Sequence, residues 1–232
     1  MATKSASASR TEEIFEQLRA DVLNGRYVPG QRMKSAELAE RFQVSLTVIR
    51  EALTRLAEQD LLVANPQRGF SVRTLSIADL EDLTSVRIQF ETAALRQSFE
   101  RGDLAWETTV LGAHHTLERT PVVLPDGSFN ETWPTIHRDF HRALLAGCGS
   151  PRLEAITISL RDSAELYRRW YYAMTDDHDR DIPQEHRDLK DFALARDIDA
   201  AIPLLSEHIE RAPRRLIAYA AEHGLDTMPV QS

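Results

Sequence analysis

The sequence predicts a mostly α-helical protein with two domains: a small N-terminal domain of helices and a β-hairpin, and a C-terminal all-α bundle of about six helices. Residues 34–73 show two short helical patterns, then an apolar run, a turn-rich segment and an alternating strand. After residue 75 the apolar residues recur at helical spacing, and no segment has a convincing strand pattern. The 232 residues suffice for one small and one medium domain, each with its own core.

The N-terminal domain, residues 10–74, is predicted to open with an amphipathic helix over residues 12–24. The apolar side chains of this helix share one face, and Gly25 is a natural helix end. Residues 1–9 lack the apolar core of a signal peptide, and we predict that they form a disordered arm.

Two short helices separated by a turn follow over residues 35–57. The hydroxyl of Ser45 or Thr47 can accept a hydrogen bond from a free backbone N–H and so cap the second helix. The apolar residues of that helix form one stripe, which leaves Arg50 on a different face. In a helix-turn-helix the N-terminal part of the second helix reaches base edges in the major groove, so Arg50 is the strongest single candidate for a DNA contact.

A hairpin wing is predicted next. Residues 61–63 are apolar, residues 65–69 are rich in turn formers, and residues 70–73 alternate as a strand does. Arg68 lies at the tip, where a guanidinium can contact a phosphate or enter a minor groove. The order of elements therefore predicts a winged helix-turn-helix.

DNA contacts are expected from the polar and turn residues of these elements. An alternative is that the arginines are ordinary surface residues of a small helical domain, but the helix, turn, helix and wing signals agree with one another. The predicted DNA-binding residues are Lys34, Ser45, Thr47, Arg50, Arg68 and Gly69.

Charge is divided unevenly along the chain. Residues 1–73 carry 11 Lys and Arg against 9 Asp and Glu, whereas residues 74–232 carry 17 against 27. Phosphate backbones repel the acidic second half, so DNA contact is expected only from the first half. A surplus of two positive charges implies weak binding by one subunit, and we predict a homodimer on a near-palindromic double-stranded DNA operator.

The helix-turn-helix carries a family motif. Residues 44–53 read V-S-L-T-V-I-R-E-A-L and are followed by R-L at residues 55–56 and by Gly69 in the wing. This pattern resembles the GntR family of bacterial transcription regulators, whose motif reads V-S-R-T-P-V-R-E-A-L followed by R-L. The resemblance covers about sixty residues and implies a DNA-binding regulator.

Three positions depart from the family pattern. Leu46 stands where the family usually has arginine, Val48 replaces the usual proline, and Ala36 occupies a place where some members carry a DNA-contacting arginine. These positions face solvent or DNA and not the core, so the departures leave the predicted fold intact. They change charged contacts, and no operator sequence is carried over from a relative.

The second domain, residues 75–225, is predicted to be entirely helical, with a tail over residues 226–232. A capping box at residues 76–79 opens its first helix. Apolar periodicity predicts the further helices at residues 104–117, 133–145, 152–173, 183–196 and 199–222.

Arg87 lies on the apolar face of the first helix of this domain and therefore needs a partner. Glu91, one turn later, can pair with it as a purely structural contact. Alternatively, Arg87 offers its guanidinium fork to the carboxylate of a bound effector. Tyr167, on a later helix, could line the same cavity, although aromatic residues at such spacing are more often core.

Four histidines occupy inward-facing positions on three predicted helices. His137 and His141 are four residues apart and share a helix face, while His186 and His208 lie between apolar residues at helical spacing. Any one of them could be a buried residue bonded to a neighbour. Together they could bind one cation, since imidazole suits zinc, nickel, copper or iron.

A second resemblance concerns these residues. The segment V-R-I-Q-F-E at residues 86–91 and three of the histidines look like the all-helical FCD effector domain of the FadR branch of the GntR family, similar to the VanR group. That family has a ligand motif Asp-x-x-Phe-His and two later histidines. Here His137 takes the place of the aspartate, so the resemblance implies His137, His141, His186 and His208 as metal ligands. Four neutral ligands favour zinc or nickel over magnesium or calcium and leave the metal charge free to attract an anion.

The sequence therefore predicts a cytoplasmic, ligand-responsive transcription regulator, acting as a repressor, that senses a small carboxylate effector at a metal site. The single cysteine, Cys148, is compatible with a reducing compartment, and no apolar run is long enough for a membrane span. The alternative is a metal-dependent, hydrolase-like enzyme fused to a DNA-binding domain, with Glu185 as the neighbouring general base.

Overall fold

The computed structural model describes residues 2–74, 76–174 and 180–225. Over these residues it contains nine α-helices and three β-strands, arranged as an N-terminal domain with a small sheet and a C-terminal helical domain. This is the predicted fold class. The tail predicted for residues 226–232 lies outside the described residues.

The first helix, α1 (Ala2–Leu23), buries Ile14, Leu18 and Val22 against the rest of the N-terminal domain. It begins ten residues before the predicted helix start. Residues 2–9, which were predicted to form a disordered arm, are part of this helix. This stretch contains three alanines and no glycine or proline, so its backbone can continue the helix.

The helix-turn-helix consists of α2 (Ser35–Phe42) and α3 (Leu46–Glu58). The turn starts at Gln43, whose φ of 53° ends α2 in the left-handed conformation. Ser45, not Thr47, is the N-cap of α3, and its Oγ accepts a hydrogen bond from the backbone N–H of Val48 at 3.4 Å.

The wing is a three-stranded antiparallel sheet of β1 (Arg32–Met33), β2 (Leu62–Asn65) and β3 (Gly69–Val72), in the order β1-β3-β2. The predicted hairpin corresponds to β2 and β3, which pair from Leu62 with Val72 to Asn65 with Gly69. Gly69 has a φ of 84°, a conformation that a residue with a Cβ rarely adopts, and so closes the turn into β3.

Over its described residues the C-terminal domain contains six α-helices, as predicted. They are α4 (Ile77–Arg101), α5 (Leu104–Glu118), α6 (Trp133–Leu145), α7 (Pro151–Met174), α8 (Ile182–Ala195) and α9 (Ile198–His223). Ser76 caps α4 by accepting a hydrogen bond from the backbone N–H of Asp79 at 3.2 Å, which is the predicted capping position. In the described part of the chain, no helix combines the length and hydropathy that crossing a membrane requires.

The two domains share one apolar cluster. It extends from α1 and α3 to Leu80 on α4, Tyr171 on α7 and Leu216 on α9. An ion pair between Arg19 on α1 and Asp162 on α7 crosses the same boundary. A second apolar cluster, centred on Phe140, fills the space between α4, α5, α6, α8 and α9. The histidines lie at the edge of this second cluster.

Candidate functional site

The four predicted histidines converge in the interior of the C-terminal domain. One nitrogen or more from each of His137, His141, His186 and His208 lies within 4.8 Å of the others. All four side chains are buried, with exposed fractions between 0 and 8 %. We call this group the histidine cluster.

Helix geometry explains why the cluster forms. His137 and His141 are one turn apart on α6 and both are buried, and the Phe140 ring lies against that of His141. His186 lies one turn into α8 and His208 lies in the middle of α9, each on the apolar face that packs against the domain core. Three helices thus bring four imidazoles from distant parts of the sequence together.

The nitrogen contacts in the cluster cannot all be hydrogen bonds at the same time. His141 Nε2 lies 3.1 Å from His137 Nε2 and 3.2 Å from His186 Nε2. An imidazole nitrogen has one in-plane site, which holds either a hydrogen or a lone pair, so it can make only one of these two contacts as a hydrogen bond. Two nitrogens bound tetrahedrally to one zinc ion at about 2.0–2.1 Å lie about 3.3 Å apart, close to the observed spacing.

Burial keeps the histidines neutral. It lowers the pKa of His137, His141 and His186 well below the usual 6.5, and the neighbouring arginines and histidines lower it further. For His208, burial lowers the pKa to about 4, although the adjacent Glu185 carboxylate opposes that shift. The cluster therefore offers lone pairs and not charges at neutral pH.

Glu185 fixes the orientation of His208. Its Oε2 lies 2.7 Å from His208 Nδ1, and Arg180 donates to both Glu185 carboxylate oxygens at 2.9 and 2.7 Å. Burial alone raises the pKa of Glu185, but the bonds from His208 and Arg180 outweigh it and lower the pKa to about 2. Because this carboxylate can only accept, His208 carries its hydrogen on Nδ1 and turns a Nε2 lone pair to the cluster.

His186 also turns a Nε2 lone pair to the cluster. Its ring donates a hydrogen bond to the backbone of Ile182, and its Nε2 faces His141. His137 differs from both. Arg168 donates to His137 Nδ1 at 2.6 Å, so the neutral His137 ring carries its hydrogen on Nε2, toward the cluster. The Trp133 indole stacks on the same ring, with centroids 4.5 Å apart. Metal binding through His137 Nε2 therefore requires Arg168 to release Nδ1.

A cavity lies beside the histidine cluster. His137 and His208 form one side of it, and apolar side chains of α4, α7 and α9 form most of the rest. Three guanidinium groups also line the cavity, from Arg87, Arg168 and Arg180. The sequence did not indicate the last two, because neither lies at a recognisable spacing from the histidines.

Arg87 belongs to a buried charge cluster. Its Nε donates to Glu91 Oε1 at 2.8 Å, so the structural pairing considered from the sequence is present. Glu91 also accepts from Arg161. Burial disfavours the Glu91 carboxylate, yet the two arginines lower its pKa. Burial lowers the pKa of Arg161 to about 10, so Arg161 remains protonated at neutral pH. Two cations and one anion leave a net charge of +1 next to the cavity.

Tyr167 lines the cavity with its ring, but its hydroxyl is bound elsewhere. The hydroxyl donates to Asp79 Oδ2 at 2.6 Å and accepts from the backbone N–H of Ser76 at 3.2 Å. Burial and the Asp79 carboxylate raise the pKa of Tyr167. Asp79 also contacts Arg73, which follows β3, so Tyr167 connects the cavity wall to the link between the domains.

Four of the six predicted DNA-binding residues share one surface of the N-terminal domain. Lys34, Arg50, Arg68 and Gly69 line a shared concave surface between α2, α3 and the wing, and Ser45 and Thr47 are exposed at the start of α3. Arg32 on β1 lines the same surface. Arg32 could not be predicted from the sequence, because a two-residue strand has no recognisable pattern.

Two family models match successive parts of the chain. The family model "Bacterial regulatory proteins, gntR family" matches residues 10–72, and the FCD domain model matches residues 82–211. The chain is 40 % identical over 209 residues to the uncharacterized HTH-type transcriptional regulator BphR of Paraburkholderia xenovorans strain LB400, covering 87 % of this chain and 83 % of the relative.

A relative named as a repressor is also similar. The HTH-type transcriptional repressor GlaR of Escherichia coli K12 is 28 % identical over 203 residues, which cover 84 % of this chain and 90 % of the relative. These relatives are transcription regulators and not enzymes, so the hydrolase alternative is not retained.

Solved structures have the same fold. Escherichia coli McbR/YncC superposes with a TM-score of 0.74 at 18 % identity, covering 92 % of this chain and 98 % of that one. A GntR transcriptional regulator from Rhodococcus sp. RHA1 gives 0.69 at 24 % identity, with 90 % and 98 % coverage. The chain belongs to the GntR family of bacterial transcription regulators and carries an FCD domain as its effector domain.

Proposed function

We propose that this regulator senses a small organic acid that binds to a transition metal ion held by the histidine cluster, and that the occupied site changes its affinity for operator DNA. The observation that carries the proposal is the meeting of imidazole lone pairs in a buried cluster beside a cavity lined by arginines. Neither feature is needed for folding, because apolar side chains could fill the same space at no electrostatic cost.

The donor set fits a borderline metal. His141, His186 and His208 offer Nε2 lone pairs, and His137 is the fourth candidate ligand once Arg168 releases it. Nitrogen ligands favour zinc or nickel over magnesium or calcium, which prefer oxygen. When bound, the ion would supply positive charge. With three nitrogen ligands it would keep a fourth position open for an anion, and with His137 also bound the anion would be a fifth ligand. His141 Nδ1 is buried without a hydrogen-bond partner among the described residues, so His141 is the least constrained of the set.

The cavity favours an anion with an apolar body. The ion pair of Arg87 uses Nε, so its two terminal nitrogens remain available for a carboxylate. The charge cluster around Glu91 has an uncompensated positive charge, which an acid in the cavity would balance. Tyr167 and the apolar side chains of α4, α7 and α9 would contact the carbon skeleton.

Operator binding is assigned to the concave surface of the N-terminal domain. Arg50 would contact base edges in the major groove, and Arg68 and Gly69 at the wing would contact the backbone or minor groove. Lys34, Ser45 and Thr47 flank the same groove. Because one domain carries a small positive surplus, we propose that a homodimer binds a near-palindromic operator.

A chain of contacts can couple the cavity to the DNA-binding domain. Tyr167 on the cavity wall holds Ser76 and Asp79 at the start of α4, and Asp79 contacts Arg73. Arg73 in turn contacts Asp60, two residues after α3. A ligand that shifts Tyr167 would therefore alter how α3 is held, and with it the spacing of two recognition helices on DNA.

The proposal is tested with operator DNA selected from a random library. Small carboxylic acids are screened for a change in operator affinity, using zinc-loaded protein and protein stripped with chelator. We expect at least one acid to act on the loaded protein and to lose its effect after stripping. An acid that acts equally on both forms would contradict the metal-bound site.

The variant Arg87→Lys tests the role assigned to the guanidinium. Lysine keeps the charge beside Glu91 but lacks the two terminal nitrogens that can bind a carboxylate together. We therefore expect the acid to change operator affinity less than in the wild type, while operator binding without acid is unchanged. Arg142→Lys, at an exposed position on α6, is the matched control. An unchanged acid response in Arg87→Lys would remove Arg87 from the effector site.

A further inference from the structure

We infer that Leu46 reads the C5-methyl group of a thymine in the operator major groove. This inference rests on the proposed operator contact through α3. It concerns the position where the GntR motif has arginine, and it assigns a base preference to the residue that this chain has instead.

Leu46 is an exposed apolar residue without a structural role. It is the first residue of α3, directly after the Ser45 cap, and 47 % of its surface is exposed. Its neighbours Val44 and Val48 pack against the apolar cluster of the N-terminal domain, whereas Leu46 does not. Packing therefore does not account for a large aliphatic side chain at this position.

The position of Leu46 on α3 directs it to the groove. Leu46 and Arg50 are four residues apart, so their side chains are neighbours on one face of the helix. Arg50 lines the concave basic surface together with Arg32, Lys34 and Arg68. A duplex bound to that surface would receive the start of α3, with Leu46 next to Arg50.

Leucine can recognise only one base in this setting. It has no donor or acceptor, and the thymine methyl is the one apolar group that a base exposes in the major groove. Against cytosine, guanine or adenine the same side chain would cover polar edges without bonding to them. Arginine at this position would suit guanine, so an arginine variant should prefer guanine where the chain with leucine prefers thymine.

Helix and duplex dimensions locate the thymine. Four residues along a helix span about 6 Å at 1.5 Å per residue. Successive base pairs are about 3.4 Å apart. The thymine that Leu46 contacts therefore lies one or two base pairs from the base that Arg50 contacts, in each half-site.

The test uses operator DNA selected by the protein from a random library, in which each thymine is replaced singly by deoxyuracil. This replacement removes only the methyl group. For the wild-type protein we expect about a fourfold loss of affinity at one position per half-site, the effect of one apolar carbon left in water. Leu46→Ala should bind the unmodified operator more weakly and lose all sensitivity to uracil at that position.

The control is an exposed leucine outside the DNA-binding domain. Leu104→Ala, at a position 77 % exposed on α5, should retain the full uracil effect. Leu46→Arg should select guanine where the wild type selects thymine. If wild-type binding is unchanged by uracil at every position, or if Leu46→Ala keeps the same loss, the inference is overturned. If the protein selects no DNA at all, the proposed operator contact itself has failed.

Discussion

Glu185 offers a sharp test of the proposed metal site, because it contacts a candidate ligand without being one. Its carboxylate accepts from His208 Nδ1 at 2.7 Å and from Arg180 through both oxygens. Removing such a partner of a metal-bound histidine costs about 10–100-fold in metal affinity, or about 1.4–2.7 kcal/mol. Glu185→Gln can keep the hydrogen bond from His208 and loses only the charge, so we expect a loss of zinc affinity near 10-fold. Glu185→Ala loses both the hydrogen bond and the charge, so we expect a loss near 100-fold.

Zinc affinity is measured by competition with a chelating dye, and circular dichroism checks that each variant is folded. Glu107→Gln is the matched control, because Glu107 also pairs with an arginine but belongs to α5 and contacts no histidine of the cluster. Equal zinc affinities for the wild type and Glu185→Ala would refute the argument that His208 is a ligand oriented by Glu185.

Three further predictions concern stability and DNA. Glu91→Gln leaves Arg87 and Arg161 buried without their anion, and we expect a loss of about 3–5 kcal/mol in urea unfolding; a loss below about 1 kcal/mol would contradict the buried charge cluster. In folded, metal-free protein burial lowers the pKa of His208 to about 4, whereas the ordinary histidine pKa of 6.5 applies in the unfolded chain. As pH falls from 6.5 to 4 the unfolded chain binds a proton that the folded chain does not, so unfolding experiments should show stability falling by about 1.4 kcal/mol per pH unit for each such histidine. Stability that is flat over this range would refute neutral burial. In binding titrations, Arg50→Ala should relax base preference at one position, whereas Arg68→Ala should weaken binding to all sequences and reduce the salt slope by about one. If Arg68→Ala relaxed base preference and Arg50→Ala weakened binding to all sequences, Arg68 and not Arg50 would be the base-reading residue.

Much of the fold could be predicted because its elements are long and periodic. The six helices of the C-terminal domain, the recognition helix and the wing hairpin follow from apolar spacing, caps and turn residues. The strand Arg32–Met33 was missed because two residues cannot form a period. The extension of α1 to Ala2 was missed because residues 2–9 have no apolar pattern and half of them are serine or threonine.

The candidate site could be predicted only in part. The i,i+4 spacing of His137 and His141 and the inward positions of His186 and His208 were visible in the sequence. Contacts between distant segments were not. Arg168 meets His137 across a separation of 31 residues, and Arg180 precedes α8, where no periodicity marks it. Pairing that depends on how helices pack cannot be inferred from the spacing within one helix.

The proposed sensor depends on metal binding by the histidine cluster. Elemental analysis of protein purified without an affinity tag or chelator measures this binding, with His141→Ala as the comparison. We expect about one zinc or nickel ion per subunit in the wild type and a clear loss in the variant. Wild-type protein that contains no metal, and takes up none when zinc is added, would contradict it.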